Sequence, residues 1–289
     1  MADKISIIGL LGEHIENSIS PFIHHKFIRY YSLNYCYVPF QIKREELPVA
    51  ITGARTLGIC GLNVTIPFKK NAMQFIDNNE LAAERIGAIN TIVRKNGKLY
   101  GYNTDWIGFH KPLSKNGGIN FNGKKALILG AGGAARAVVY ALAEGRCSAI
   151  SIFNRSEWRA VELKRNFQHI FPQCEIKIFP WSGPSLEGEI SEADLLINAT
   201  PLGSWYYPGQ NPLSEEIKLP PQLIVYDLIY YPDKTPLLKW AEKSGNKIIN
   251  GKEMLVYQAV ESFYLWTNIY PDQKIINQTI KEIREIGRG

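Results

Sequence analysis

A glycine-rich segment in the middle of the chain carries the clearest chemical signal. Residues 130–135 read Gly-Ala-Gly-Gly-Ala-Ala, which matches the G-x-G-x-x-G/A fingerprint. The segment follows the strand-like residues 124–129 and precedes an alanine-rich stretch that ends near Glu144. Glycines allow a tight turn, and the first N–H groups of the following helix attract phosphate. We therefore predict a dinucleotide site formed by Gly130, Ala131, Gly132, Gly133 and Ala134.

The residues after the next apolar stretch, residues 149–153, indicate which dinucleotide binds. NAD-specific sites carry an acidic residue there, which bonds the ribose 2′-hydroxyl and would repel a 2′-phosphate. This chain has Asn154, Arg155 and Ser156 instead. These side chains are donors for phosphate oxygens, and a guanidinium offers them in a planar fork. The sequence predicts NADP, with a solvated surface arginine as the alternative reading of Arg155.

A lysine in the first third of the chain is a candidate for proton transfer. Lys69 follows Pro67, and because proline is common at the start of a helix, we expect Lys69 in a first helical turn. The positive end of a helix disfavours a cation there. That suits a group which exchanges a proton with a hydroxyl/carbonyl pair. Lys69 by itself fits a catalyst and a surface residue equally well, whereas Lys70 is expected to be solvated.

The elements that must position these residues form two α/β patterns. In the first third, the strand-like stretches 5–10, 35–40 and 62–66 alternate with the helix-like stretches 21–31 and 44–57. This alternation predicts an α/β domain with a mostly parallel sheet.

Two local signals refine that first pattern. Ser20 and Pro21 fit a helix N-cap followed by proline at the first helical position. Asn96-Gly97, flanked by apolar stretches, predicts a hairpin with a type I′ turn.

The second pattern, which contains the glycine-rich segment, predicts a Rossmann-type domain. Strand-like residues 195–198, 223–227 and 247–250 would continue its sheet. Residues 254–269 and 275–286 have helical periodicity, and we expect them to fold back on the first domain. The predicted division is residues 1–108 for substrate, 109–249 for NADP and 250–289 for the C-terminal helices.

Composition excludes several classes of protein. The 289 residues carry a net charge of +6, but the basic residues alternate with acids, as in residues 43–46 and 281–285. An anionic small molecule therefore explains the charge better than nucleic acid does. No apolar run approaches the roughly 20 residues of a membrane span, and the first four residues do not resemble a leader peptide. We expect a cytoplasmic protein with no membrane partner.

The four cysteines and five histidines show no spacing typical of metal ligands. The cysteines are scattered without a CxxC pair, which predicts reduced thiols and neither a disulfide framework nor a metal site.

Many motifs in one order give the chain a resemblance to the shikimate dehydrogenases over nearly its whole length. Besides the glycine-rich segment, they are SISP (18–21), GLNVTIPFK (61–69), GAINT (87–91), GYNTD (101–105), NRS (154–156), NATPLG (198–203), YDLIY (226–230) and GKEMLVYQA (251–259). The resemblance implies reversible reduction of 3-dehydroshikimate to shikimate by NADPH, a step of chorismate and aromatic amino acid biosynthesis. The implied substrate site is a cleft between the two domains.

The resemblance also implies roles for side chains of the first domain. Lys69 and Asp105 would form the catalytic dyad, with Lys69 as proton donor and Asp105 orienting it. Ser18 and Ser20 would hold the substrate carboxylate, and Tyr230 would assist them.

Further implied contacts involve the ring hydroxyls and the cofactor. Thr65, Asn90 and Gln258 would hydrogen-bond the hydroxyls of the substrate. Thr200 and Gly251 would contact NADP. A metal is not needed, because a protonated lysine supplies the positive charge at the reacting oxygen.

Two other functions stay open. An enzyme of the same superfamily could oxidise quinate as well as shikimate with NAD or NADP, although Ser18, Ser20 and Arg155 argue against it. A cofactor-sensing protein without activity is the other reading, which the presence of both Lys69 and Asp105 disfavours. A monomer and a homodimer are equally compatible with the sequence.

Overall fold

The computed structural model describes residues 5–116, 118–181 and 185–285. Residues 1–4, which were examined for a leader peptide, and Ile286, the predicted end of the last helix, lie outside these ranges. The chain divides into two compact units. Unit 1 comprises Met1–Gly108 and Leu255–Lys281, and unit 2 comprises Phe109–Met254 and Glu282–Gly289.

Twelve strands are present in the described residues. They are β1 (Ser6–Gly12), β2 (Tyr35–Gln41), β3 (Gly61–Val64), β4 (Asn78–Asn79), β5 (Thr91–Lys95), β6 (Lys98–Tyr102), β7 (Lys125–Leu129), β8 (Ala149–Asn154), β9 (Glu175–Pro180), β10 (Leu195–Asn198), β11 (Ile224–Asp227) and β12 (Lys247–Ile249).

Ten α-helices are found in the same ranges, together with short 3-10 helices at Arg44–Glu46 and Asn71–Phe75. The α-helices are α1 (Ser20–Tyr30), α2 (Leu47–Thr56), α3 (Leu81–Ile86), α4 (Asp105–Asn116), α5 (Gly133–Glu144), α6 (Glu157–Gln168), α7 (Ser185–Glu192), α8 (Pro236–Lys243), α9 (Lys252–Thr267) and α10 (Gln273–Glu285). No helix within the described ranges is long and apolar enough to cross a membrane.

The sheet of unit 1 is mostly parallel, which confirms the predicted fold class. Its strand order is β2-β1-β3-β5-β6-β4. Strands β1, β2 and β3 are parallel, and β5 runs antiparallel to both β3 and β6. The predicted hairpin is confirmed, because β5 and β6 are joined by Asn96 and Gly97, both with positive φ.

The sheet of unit 2 is parallel throughout, with the order β12-β11-β10-β7-β8-β9. Strands β7 and β10 are neighbours. From β7 the sheet continues through β8 to β9 on one side, and from β10 it continues through β11 to β12 on the other. Ligands of open α/β sheets bind at the carboxyl ends of the strands at such a switch point. Leu127, Leu196 and Leu223 are fully buried in the core beneath it.

Candidate active site

The side chains of Lys69 and Asp105 form an ion pair within unit 1. The Lys69 Nζ and Asp105 Oδ2 atoms are 2.6 Å apart, and the two side chains are 17% and 6% exposed. Asp105 is the first residue of α4. The Lys69 carbonyl accepts a hydrogen bond of 2.8 Å from the Ile89 N–H. The pair is thus shielded from most of the solvent but still accessible on the lysine side.

The prediction that Pro67 opens a helix around Lys69 is wrong. Residues 66–67 and 69–70 form turns, and a 3-10 helix begins at Asn71. Proline is favoured in turns as well as in first helical turns, so the local pattern could not separate the two. The electrostatic partner of Lys69 is therefore the Asp105 carboxylate and not a helix dipole.

Asn90 connects the ion pair with the C-terminal part of unit 1. Its Oδ1 accepts a hydrogen bond of 2.7 Å from the Thr104 N–H. Its Nδ2 donates to Asp105 Oδ1 at 2.9 Å and to Gln258 Oε1 at 3.3 Å. A backbone donor thus fixes which end of the amide faces Asp105, and the structure brings Gln258 into the same cluster as Lys69 and Asp105.

Ser18 lies on the loop that follows β1, and Ser20 is the first residue of α1. The Ser20 N–H donates to Ser18 Oγ at 3.3 Å. Ile19, not Ser20, is the N-cap of α1, and no side chain caps that helix. The prediction of Ser20 as the N-cap of this helix is therefore wrong by one residue. Ser20 is buried, and Ser18 is half-buried.

Thr65 follows β3, the strand next to β1. Leu11 and Val64 are register partners in this parallel pair, and the Thr65 N–H donates to the Leu11 carbonyl at 3.0 Å. Because carboxyl ends of neighbouring parallel strands meet at one edge of a sheet, Thr65 and the segment with Ser18 and Ser20 follow the same edge.

Tyr230 belongs to unit 2, three residues after β11. It is half-buried, and burial raises the pKa of its hydroxyl, which remains protonated and can donate a hydrogen bond. The structure thus divides the residues predicted to hold the carboxylate between the two compact units.

The glycine-rich turn of unit 2 has the backbone geometry that its sequence requires. Gly130 has a φ of 106°, and a Cβ added there would lie 3.0 Å from the Ala199 carbonyl oxygen. Gly132 is the N-cap of α5, and a Cβ there would meet nothing within 4 Å. The first N–H groups of a helix have no acceptor within the helix. The turn therefore presents donors and a positive dipole end to open space, beside half-buried Gly133 and Ala134 and buried Ala131.

The residues after β8 form a second set of donors. Arg155 is exposed, and Asn154 and Ser156 are half-buried. Asn154 Nδ2 donates to the Ser156 carbonyl at 2.6 Å, which holds this turn together. Ser156 is the N-cap of α6 but makes no capping hydrogen bond with its side chain. The Arg159 guanidinium lies 5.1 Å from the centre of the Trp158 ring.

Thr200 follows β10 and is held by Asn198 and Asp227, two motif residues for which no role was predicted. The Thr200 Oγ1 donates to Asn198 Oδ1 at 2.7 Å, and Asn198 Nδ2 donates to Asp227 Oδ1 at 3.1 Å. Asp227 also accepts from Thr235 Oγ1 at 2.7 Å, and burial raises the pKa of Asp227 to about 6. The signal was present, because Asn198 and Asp227 are polar residues at the ends of neighbouring buried strands.

Gly251 is required by close packing of the backbone. A Cβ there would lie 2.0 Å from the Leu228 carbonyl oxygen. The Gly251 N–H donates to the Ile229 carbonyl at 3.0 Å. The segment before α9 thus lies directly against the loop after β11.

Family models of known proteins match three parts of the chain. Residues 10–92 match the shikimate dehydrogenase substrate binding domain. Residues 113–204 match shikimate / quinate 5-dehydrogenase, and residues 251–281 match the shikimate 5'-dehydrogenase C-terminal domain.

A curated relative extends the match over the whole chain. Shikimate dehydrogenase (NADP(+)) of Desulforamulus reducens is 42% identical over 286 residues, which are 99% of this chain and 97% of the relative. The chain belongs to the shikimate dehydrogenase family. Both the α/β fold class and the resemblance expected from the motifs are confirmed.

Solved structures of the shikimate dehydrogenase family have the same fold. A crystal structure of shikimate dehydrogenase in complex with NADP+ has a TM-score of 0.87 and 37% identity, and covers 96% of this chain and 95% of its own. A shikimate 5-dehydrogenase from Listeria monocytogenes in complex with shikimate and NAD has a TM-score of 0.87 and 34% identity, and covers 98% and 96%. Proteins of this family therefore bind small molecules.

The donors of unit 2 fit the NADP+ named for the Desulforamulus reducens relative and for the first of these structures. The open N-terminus of α5 suits a pyrophosphate. The exposed Arg155 guanidinium, with the amide and hydroxyl of Asn154 and Ser156, suits a 2′-phosphate.

Clusters of three or more histidine, cysteine or acidic residues that could hold a metal are absent from the described part of the chain. His24 is fully buried against the Tyr37 ring, and burial lowers the pKa of its imidazole to about 3. A neutral histidine packed among aromatic rings has a structural role.

Proposed function

We propose that the protein is an NADP-dependent shikimate dehydrogenase that reversibly reduces 3-dehydroshikimate to shikimate in aromatic amino acid biosynthesis. The observation that carries the proposal is the Lys69–Asp105 ion pair, joined through Asn90 to Gln258. The family and the names of the curated relatives support it.

Each compact unit has its own part in this proposal. Unit 1, including the portion of α9 that carries Gln258, binds the substrate. The glycine-rich turn and residues 154–156 of unit 2 bind NADP, and Thr200 and Gly251 complete that site. The compact units change at Gly108 and Met254, close to the limits predicted at residues 108 and 249.

The substrate is a carboxylate with several hydroxyls, and the polar side chains of the site match it. Ser18 and Ser20 donate hydroxyl hydrogen bonds to the carboxylate, with Tyr230 as a third donor. Amides both donate and accept, so Asn90 and Gln258 suit ring hydroxyls. Thr65 is the third residue proposed to hydrogen-bond the ring hydroxyls of the substrate.

Proton transfer in this proposal belongs to Lys69. NADPH supplies the hydride to the ketone carbon when it is bound. The Lys69 ammonium donates a proton to the developing alkoxide, and neutral Lys69 accepts that proton in the reverse direction. The Asp105 carboxylate holds the Lys69 side chain, with Nζ and Oδ2 2.6 Å apart, and so orients it for this transfer.

The direct experiment is an absorbance assay for NADPH with purified protein and shikimate. We expect NADPH formation from shikimate and NADP, and much slower turnover of quinate with NAD. Quinate oxidation is the second candidate, because the family model for residues 113–204 covers both activities and one related structure contains NAD. Equal or faster turnover of quinate would establish that candidate instead.

Replacing Arg155 should change the preference between the two cofactors. Charge-assisted hydrogen bonds contribute roughly 1.5 to 3 kcal/mol, so Arg155→Ala should raise the KM for NADP about tenfold to a hundredfold. The KM for NAD should stay near the wild-type value, because NAD has no 2′-phosphate. Arg159→Ala is the matched control, since Arg159 is also exposed and lies four residues further on, in α6. Equal effects of Arg155→Ala on both cofactors would rule out this role.

Replacing Gln258 should weaken shikimate binding. The Gln258 side chain lies 3.3 Å from Asn90 Nδ2, and a lost hydrogen bond of about 1 kcal/mol corresponds to roughly a fivefold higher KM for shikimate. The KM for NADP should not change. Gln278→Ala on α10, where the glutamine is exposed, controls for general effects of the substitution. An unchanged KM for shikimate would remove Gln258 from the substrate site.

A cytoplasmic location and a monomeric or homodimeric state, with no nucleic-acid or membrane partner, belong to the same proposal. The four cysteines are free thiols. Burial raises the pKa of Cys147 to about 12 and that of Cys174 to about 11. Thiols that stay protonated are unreactive, which is compatible with a reducing compartment.

A further inference from the structure

A buried hydroxyl on α9 lies at the centre of a polar network in unit 1. Ser262 is 0% exposed. Its Oγ lies 2.8 Å from Thr91 Oγ1 and 3.2 Å from Thr104 Oγ1, and it accepts a hydrogen bond of 3.0 Å from Asn63 Nδ2. It also bonds the Gln258 carbonyl at 3.0 Å. A single serine thus joins α9 to β3, β5 and the segment before α4.

The network continues from Ser262 to Asn90. Thr91 Oγ1 donates to Asn90 Oδ1 at 3.1 Å, and Asn63 Nδ2 donates to the Asn90 carbonyl at 3.2 Å. Asn63 is itself held by the Tyr37 hydroxyl, which donates to Asn63 Oδ1 at 2.9 Å. The groups that donate to Asn90 Oδ1 are all buried, and the NH₂ group of this amide faces Asp105 Oδ1, Thr104 Oγ1 and Gln258 Oε1.

The side chains of Asn63, Thr91 and Ser262 are about as deeply buried as that of Asn90, which is 2% exposed, and their hydrogen bonds connect them to one another and to Asn90. Asn63, Thr91 and Ser262 are between 0% and 5% exposed, and polar groups buried to this extent must be satisfied by one another. A fully connected buried network fixes side chains more rigidly than separate hydrogen bonds do. Its effect on Asn90 and Gln258 is therefore one of orientation.

We propose that Asn63, Thr91 and Ser262 are positioning residues, which orient Asn90 and Gln258 for the substrate hydroxyls without contacting the substrate. The inference rests on the proposed function for the identity of that substrate. It also explains why α9 is hydrogen-bonded to the sheet at Ser262. This serine lies one helical turn after Gln258, so its contacts fix the part of α9 that carries Gln258.

The test uses two variants that remove a hydroxyl and little else. Thr91→Val keeps a β-branched side chain in β5, and Ser262→Ala keeps a small one in α9. Each should raise the KM for shikimate about threefold to tenfold, because a hydrogen bond contributes roughly 0.5 to 1.5 kcal/mol. The kcat should stay within about twofold, and the KM for NADP should not change, because the chemical groups and the cofactor site are intact.

Thr279→Val is the matched control. Thr279 is also 0% exposed, and its hydroxyl bonds the Ile275 carbonyl at 2.7 Å, four residues back as in Ser262. It lies in α10, away from the network residues in sequence. If the loss of any buried hydroxyl raises the KM for shikimate, the KM should therefore rise in all three variants. If the network is responsible, the KM should rise only in Thr91→Val and Ser262→Ala.

A second measurement does not depend on the substrate. In protein labelled with ¹⁵N-asparagine, the side-chain NH₂ signal of Asn90, assigned with Asn90→Asp, should exchange with solvent faster in Thr91→Val and Ser262→Ala than in the wild type or in Thr279→Val. An unchanged signal in both variants would overturn the positioning role even if the wild type oxidises shikimate. Faster exchange in an enzyme that does not oxidise shikimate would refute the proposed function and leave the network in place.

Discussion

Lys69→Ala should lower kcat by roughly 10² to 10⁴, the usual contribution of a positioned acid–base group. The alanine cannot donate a proton to the alkoxide, and the Asp105 carboxylate, 2.6 Å from Nζ in the wild type, would be left without its cation. The KM for NADP should change little, because the proposed cofactor residues belong to the other compact unit. The KM for shikimate should rise only modestly, since Ser18, Ser20, Asn90 and Gln258 keep their side chains.

Lys70→Ala is the matched control for this prediction. Lys70 is adjacent in sequence and exposed, whereas Lys69 is half-buried, so its removal should leave kcat near the wild-type value. Initial rates should be measured on folded protein from a host that lacks its own shikimate dehydrogenase. Near wild-type turnover of Lys69→Ala under those conditions would refute the proposed mechanism.

Asp105→Asn should also lower kcat by roughly 10² to 10⁴. The carboxylate accepts from two donors at once, Lys69 Nζ at 2.6 Å and Asn90 Nδ2 at 2.9 Å. An amide has one oxygen and one NH₂ group, so one of the two donors would face another donor. Asn90 cannot easily turn over, because its Oδ1 is held by the Thr104 N–H. The substitution therefore removes the charge and also disturbs the geometry.

The control for Asp105→Asn is Asp77→Asn. Asp77 forms an ion pair of 3.0 Å with Arg55 in the same unit, and backbone and side-chain hydrogen bonds lower the pKa of its carboxyl. Losing that pair should affect stability and not turnover. The double variant of Lys69 and Asp105 should lose less than the product of the two single losses, as expected for residues that act as one unit. If the loss of turnover in the double variant equals the product of the two single losses, Lys69 and Asp105 act independently.

Sequence patterns predicted the elements whose signals are local. The glycine-rich turn lies between β7 and α5 as expected, because a buried strand, glycines that permit a φ of 106° and an alanine-rich helix are consecutive in the chain. The hairpin at Asn96-Gly97 was found for the same reason. At Pro67 the same kind of local signal failed, since proline suits a turn and a first helical turn equally.

Side-chain partners at long range were not available from any local pattern. Residues 36 positions apart form the Lys69–Asp105 pair, and 168 positions separate Asn90 from Gln258. Only the resemblance to a known family pointed to these partners. Nothing in the sequence analysis pointed to Ser262 as a partner of Asn63, from which it is 199 residues distant.

The two α/β patterns, the dinucleotide turn and the donors suited to a 2′-phosphate could all be predicted from the amino-acid sequence. Periodicity and turn chemistry report which face of an element is buried and where it ends. They do not report which residue of another element meets that face. The orientation of Asn90, whose NH₂ group faces Asp105 and Gln258, depends on contacts from Thr91, Thr104 and Ser262. These residues lie on separate segments, so folding of the whole unit is needed to bring them together.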